Sequence, residues 1–129
     1  MLQVLKYQTS QGGFRGGSNV KQNLEMIKGD TLAFGVEIEF DENPQQLSNA
    51  YFSCKNINDE ELLFQKSLNN GIEYVNQIDN KLYYRVRVAP QDTKKLETGR
   101  YSYDLEIRLN DDVFTILNGI LNIEKEITE

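Results

Sequence analysis

Strict alternation of apolar and polar side chains constrains this chain more than any other feature. In residues 31–40, Leu32, Phe34, Val36, Ile38 and Phe40 alternate with Ala33, Gly35, Glu37 and Glu39. A period of two over that length defines a strand with one buried and one wet face. The rhythm returns in residues 82–88, where Leu82, Tyr84, Val86 and Val88 oppose Tyr83, Arg85 and Arg87. It returns again in 101–109, where Tyr101, Tyr103, Leu105, Ile107 and Leu109 share a face. Shorter runs over 22–27, 50–56, 62–68 and 113–123 bring the total to about seven strands. Turn chemistry separates them. Lys28-Gly29-Asp30 ends the first, Asn69-Asn70-Gly71 favours positive φ, and Asn110-Asp111-Asp112 makes a tight hairpin.

Residues 90–105 specify a corner. Pro90 precedes a single helical turn over 91–97, which Asp92 or Thr93 can cap. Leu96, Gly99, Tyr101 and Tyr103 follow at the entry to a strand. In immunoglobulin-like sandwiches a Tyr at this place folds back and bonds backbone a few residues upstream; Tyr101 fits that role, with Tyr103 two positions on. The expected fold is therefore all-β, an immunoglobulin-like antiparallel β-sandwich of about seven strands with a tyrosine corner.

The chain of 129 residues suits one such domain, placed at 21–129. Residues 1–20 differ in composition. Four of the nine glycines fall within 11–18, around Phe14 and Arg15, and Leu2, Val4, Leu5 and Tyr7 precede them. Glycine has the most backbone entropy to lose on ordering, so this segment reads as a flexible Gly-rich arm. Its sharper reading is an arm that orders against a partner or a neighbouring copy, with Phe14 and Arg15 as contacts. Tyr83, Arg85 and Arg87 on the wet face of one strand form a second candidate interface, since Tyr and Arg are enriched at hot spots.

The residue types exclude much chemistry. Without histidine there is no Ser-His-Asp or Cys-His system, no histidine base and no histidine-ligated zinc. The single Cys54 lies in an alternating run and reads as a small core residue. Glu37 and Glu39 share a wet face, where carboxylates serve solubility more often than glycoside hydrolysis. Three acidic turns, around Asp41, Asp59 and Asp111, lack the regular spacing of a calcium loop. No catalytic residue, metal or cofactor is expected. A net charge of −6 argues against nucleic acid and against an anionic membrane surface. No apolar run approaches a membrane span or a signal-peptide core.

Four blocks of the chain carry a resemblance: K-G-D-T-L-A-F-G-V-E-I from Lys28, L-S-N-A-Y-F-S-C-K from Leu47, V-A-P-Q-D-T-K-K-L-E-T-G-R-Y-S-Y-D-L from Val88, and F-T-I-L-N-G-I-L-N-I-E-K-E-I-T from Phe114. Together they resemble small structural proteins of Firmicutes phages and prophages. They are similar in particular to the immunoglobulin-like N-terminal domain of siphophage upper baseplate proteins. The resemblance covers about residues 28–128. It implies structural roles for Gly29, Asp30, Thr31, Asp92, Thr93, Leu96, Gly99, Tyr101, Tyr103, Asp104, Thr115 and Gly119, and catalysis for none. It further implies a non-enzymatic tail or baseplate protein, made in the bacterial host cytoplasm and located in the virion. Other tail or baseplate proteins would be its partners, along with further copies of the chain. The alternative is a carbohydrate-binding module for host cell-surface glycan, built on Tyr51, Tyr74 or Tyr83.

Overall fold

A computed structural model describes residues 2–8, 20–40 and 43–125; for 2–8 and 20 it describes the backbone alone. The described residues are all-β apart from one helical turn. In chain order they form β1 (Leu2–Gln8), β2 (Val20–Lys21), β3 (Leu24–Ile27), β4 (Leu32–Glu39), β5 (Asn49–Lys55), β6 (Leu62–Leu68) and β7 (Gly71–Ile78). Then come β8 (Lys81–Val88), α1 (Pro90–Thr93), β9 (Gly99–Leu109) and β10 (Asp112–Glu124). Ten strands thus stand where about seven were expected. Beyond those seven stand β1, the short strand that Leu2, Val4, Leu5 and Tyr7 allow, the two-residue β2, and β7; the alternation marks neither β2 nor β7.

All ten join in one hydrogen-bonded order, β1-β4-β8-β7-β6-β5-β9-β10-β2, with β3 also on β10. The link between β7 and β6 is slight: Ser67 opposite Gly71 and Leu68 opposite Ile72. There the sheet turns back on itself, so its two parts face each other across one core. Val36 and Ile38 of β4, Ile72 of β7 and Val86 of β8 meet Ala50 of β5 and Leu105 of β9 around a small apolar void. Period-two patterning produces this contact. In β8 Leu82, Tyr84, Val86 and Val88 are buried while Arg85 and Arg87 are exposed.

Phe52 centres the core. It is wholly buried, edge-on to Phe34 at 5.8 Å and stacked on Tyr103 at 5.3 Å. Burying a side chain of that size stabilises by roughly 1.5–3 kcal/mol. Cys54 is also fully buried, and burial pushes its thiol pKa up to about 12. In β10 the register slips between Thr115 and Leu117. The extra residue lets Ile116 and Leu117 both reach the interior, which strict alternation forbids.

The N-terminal segments add parallel edges. β1 pairs with β4, Leu2 opposite Ala33 through Gln8 opposite Glu39. Residues 9–19, with Phe14 and Arg15, lie outside the described residues. At the other side, β2 and β3 run parallel to β10. Between them Gln22 presses on Gly119, where a Cβ would strike the Gln22 carbonyl oxygen. Only glycine allows that approach. The Tyr103 hydroxyl and the Asn23 side chain complete the join, donating to the Gln22 carbonyl and accepting from the Ile120 amide respectively.

Candidate functional site

The structure gathers most of the residues singled out for structural roles into one corner. Lys28 and Gly29 make a turn in which the Asp30 amide donates to the Ile27 carbonyl at 3.0 Å, and Gly29 has a φ of +83° that favours glycine. The Gly29 amide donates to Thr93 Oγ1 at 3.1 Å, and Thr93 is fully buried. Next to it, Asp92 Oδ2 accepts from the Ala89 amide at 2.7 Å and from Lys66 Nζ at 2.9 Å. That ion pair is largely shielded, with side-chain exposures of 13% and 15%. Leu96 packs on the core, and Gly99 opens β9 with φ +147°. The Tyr101 hydroxyl donates to the Glu97 carbonyl at 2.6 Å. The cluster therefore ties the β3–β4 turn, α1 and the start of β9 together.

The trio on β8 is partly engaged within the chain. Tyr83 hydrogen-bonds Glu37, the main cause of its raised pKa. Arg85 pairs with Glu73 of β7 at 3.0 Å, both well exposed. Arg87 is exposed beside Ala33. Tyr51, Tyr74 and Tyr83 do not form one cluster: Tyr74 and Tyr83 sit on the neighbouring strands β7 and β8, while Tyr51 lies on β5, beyond β6 in the strand order.

Two surfaces appear that sequence reasoning missed. The first is the edge of β7. Beyond its short contact with β6 this strand pairs with β8 alone among the described residues. Tyr74, Val75 and Ile78 are exposed on it, the latter two by 53% and 52%. Val75 is the extra residue of a bulge between Tyr74 and Asn76. Tyr74 leans edge-on against buried Tyr84 at 5.5 Å, which fixes one border of the strip.

The second is a polar groove of about 600 Å³ on the outer face of β6, β5, β9 and β10. Register lines up Gln65, Ser53 and Asp104 across it, and Thr115 of β10 joins the lining. Gln65 donates to Ser53 at 2.9 Å, Lys55 lies 3.8 Å from Asp104, and Arg108 contacts Glu106 at 3.1 Å. Arg108 also covers the Tyr51 ring at 5.0 Å. Burial raises the Asp104 pKa, with Lys55 opposing. Among the described residues no three acidic or cysteine side chains group as a metal site, and no helix is long and apolar enough to cross a membrane.

No protein-family model matches this chain. No curated protein matches it either. Among solved structures the fold is similar to part of a family 123 glycoside hydrolase from Clostridium perfringens, studied for glycolipid glycan hydrolysis. Identity is 12% and the TM-score 0.53, over 84% of this chain and 24% of the hydrolase. The chain thus spans about a quarter of that enzyme's length. A phage protein is also among the neighbours, the N-terminal domain of phage TP901-1 ORF48. There identity is 12% and the TM-score 0.43, over 97% of this chain and 100% of that domain.

Proposed function

We propose that this chain is a non-enzymatic structural or assembly protein of a phage tail or baseplate, located in the virion and acting by protein–protein docking. The observation that carries the reading is the β7 edge. A strand that beyond Ile72 has no strand partner on one side among the described residues, with Tyr74, Val75 and Ile78 exposed, offers both hydrogen bonds and apolar contact to a partner. The sequence resemblance supplies the kind of partner, other tail or baseplate proteins. Its blocks fall mainly on core strands and the corner, which leaves β7 outside the resembling segments.

The finer fold reading belongs with this proposal: an immunoglobulin-like sandwich. Strand order supports it. Taking β3 as strand A, β4, β5, β8, β9 and β10 follow as B, C, E, F and G, so B neighbours E, C neighbours F and F neighbours G. The Tyr101 bond to Glu97 lies where that fold places its corner. The parallel pairing of β3 with β10 sets this chain apart from the plain seven-strand form.

The test is capture of tail proteins by tagged chain in an induced culture. Capture by the native chain and its loss in Val75→Asp with Ile78→Asp supports the proposal; equal capture by both refutes the assigned edge. A second reading, glycan binding, is favoured by Tyr51 standing in the polar groove. Retention on a glycan array that Tyr51→Ala abolishes would support it, and an empty array would remove it.

A further inference from the structure

The chain is acidic overall, yet one end carries a lysine-lined concavity. Lys28, Lys94 and Lys125 line a hollow of about 770 Å³ together with Pro90 and Thr98, and among the described residues Glu97 is the one acid lining it. The hollow follows from the corner: the β3–β4 turn, the segment after α1 and the end of β10 meet there. Four basic side chains elsewhere pair with acids, Lys55 with Asp104, Lys66 with Asp92, Arg85 with Glu73 and Arg108 with Glu106. Lys28, Lys94 and Lys125 have no ion-pair partner among the described residues.

The complementary feature lies on the same strand pair. β9 starts one residue after Thr98, at the rim of the hollow, and its far end feeds the Asn110-Asp111 turn into β10. Eleven residues of strand separate the two, roughly 35 Å. At that tip Asn110, Asp111, Asp112 and Val113 are all exposed, and Asn110 has φ +57°, which makes the turn tight and protruding. Neither aspartate has an ion-pair partner among the described residues.

We infer that copies of this chain associate head to tail, the Asp111-Asp112 hairpin tip of one copy seated in the Lys28/Lys94/Lys125 hollow of the next. Two carboxylates meet three ammonium groups offset by one carboxylate, and Val113 lies against the Pro90 ring and the lysine stems. Because the two surfaces differ, the contact is heterologous and extends into rings or filaments rather than closing as a two-fold dimer. The contact is separate from the β7 edge and stands on the charges alone, so it holds or fails whether or not the tail assignment does.

The test uses the purified chain by itself. Light scattering at low salt should show a mass that rises with concentration beyond that of a dimer and returns to the monomer at about 1 M salt, where the Debye length is near 3 Å. Lys28→Ser with Lys94→Ser should weaken association about tenfold, and so should Asp111→Ser with Asp112→Ser. Mixing these two variants should restore one contact only and give a dimer that grows no further. Melting curves confirm that both variants fold; were either not to fold, neutralising Lys125 or Asp112 alone replaces it. A native chain that stays monomeric at every concentration, or a mixture with no dimer, overturns the inference.

Discussion

The corner at residues 89–105 and the strand β7 are opposite kinds of surface on one small sheet. In the corner the shielded polar groups are answered within the chain: Asp92 by Lys66 and the Ala89 amide, Thr93 by the Gly29 amide, and the Tyr101 hydroxyl by the Glu97 carbonyl. On β7 three apolar side chains stand in solvent beside an edge that, beyond its short contact with β6, has no strand partner among the described residues. The difference teaches how to divide the molecule. Satisfied groups hold it together, and the exposed edge is where we propose that a partner docks. Substitutions should separate the same way, with the corner costing stability and β7 costing docking.

The largest stability effect is expected beneath the corner. Phe52→Ala removes the ring on which Tyr103 stacks and should cost about 3–5 kcal/mol in denaturant titration. Next, Asp92→Ala leaves Lys66 shielded without its partner and removes a cap on α1, a loss of about 3 kcal/mol by the same measurement. Tyr101→Phe deletes one hydrogen bond at a more exposed place and should cost about 1 kcal/mol. If Tyr101→Phe proved as damaging as Asp92→Ala, the corner would depend on the tyrosine more than on its buried ion pair.

These expectations show why one region could be read in advance and the other could not. The corner bond spans four residues, from Tyr101 to Glu97, and rests on residue types with few other uses at that spacing. The main strands were legible because one face is buried, as in β8. β7 escaped because neither cue survives there: only Ile72 is buried, and the bulge at Val75 throws the apolar residues out of phase. The polar groove was invisible for another reason. Gln65, Ser53, Asp104 and Thr115 come from four strands, and only strand pairing brings them to one face. The pairing of β1 with β4 is likewise a matter of long-range register, which composition does not encode.

Smaller effects test the groove and then the edge. The Asp104 pKa is raised in the folded state, chiefly by burial, from an ordinary value of 3.8. The folded chain therefore binds more protons than the unfolded one between those two values, and stability falls as pH rises through that window. Asp104→Asn should raise the Tm at pH 7, and the gain should shrink as pH falls through the folded pKa and vanish only below the ordinary value of 3.8. A gain independent of pH would mean that the charge is not its source. Smallest of all, Val75→Asp should leave stability within about 0.5 kcal/mol of native, as for an ordinary surface change, while abolishing capture of the docking partner.

The central claim, that this chain is a docking component of a phage tail, is tested most directly by mass spectrometry of phage-like particles purified from an induced culture of the source strain. The account predicts peptides of the chain at a fixed ratio to tail proteins, lost from particles when β7 carries Val75→Asp and Ile78→Asp. Particles that lack the chain while the lysate is rich in it would contradict the account.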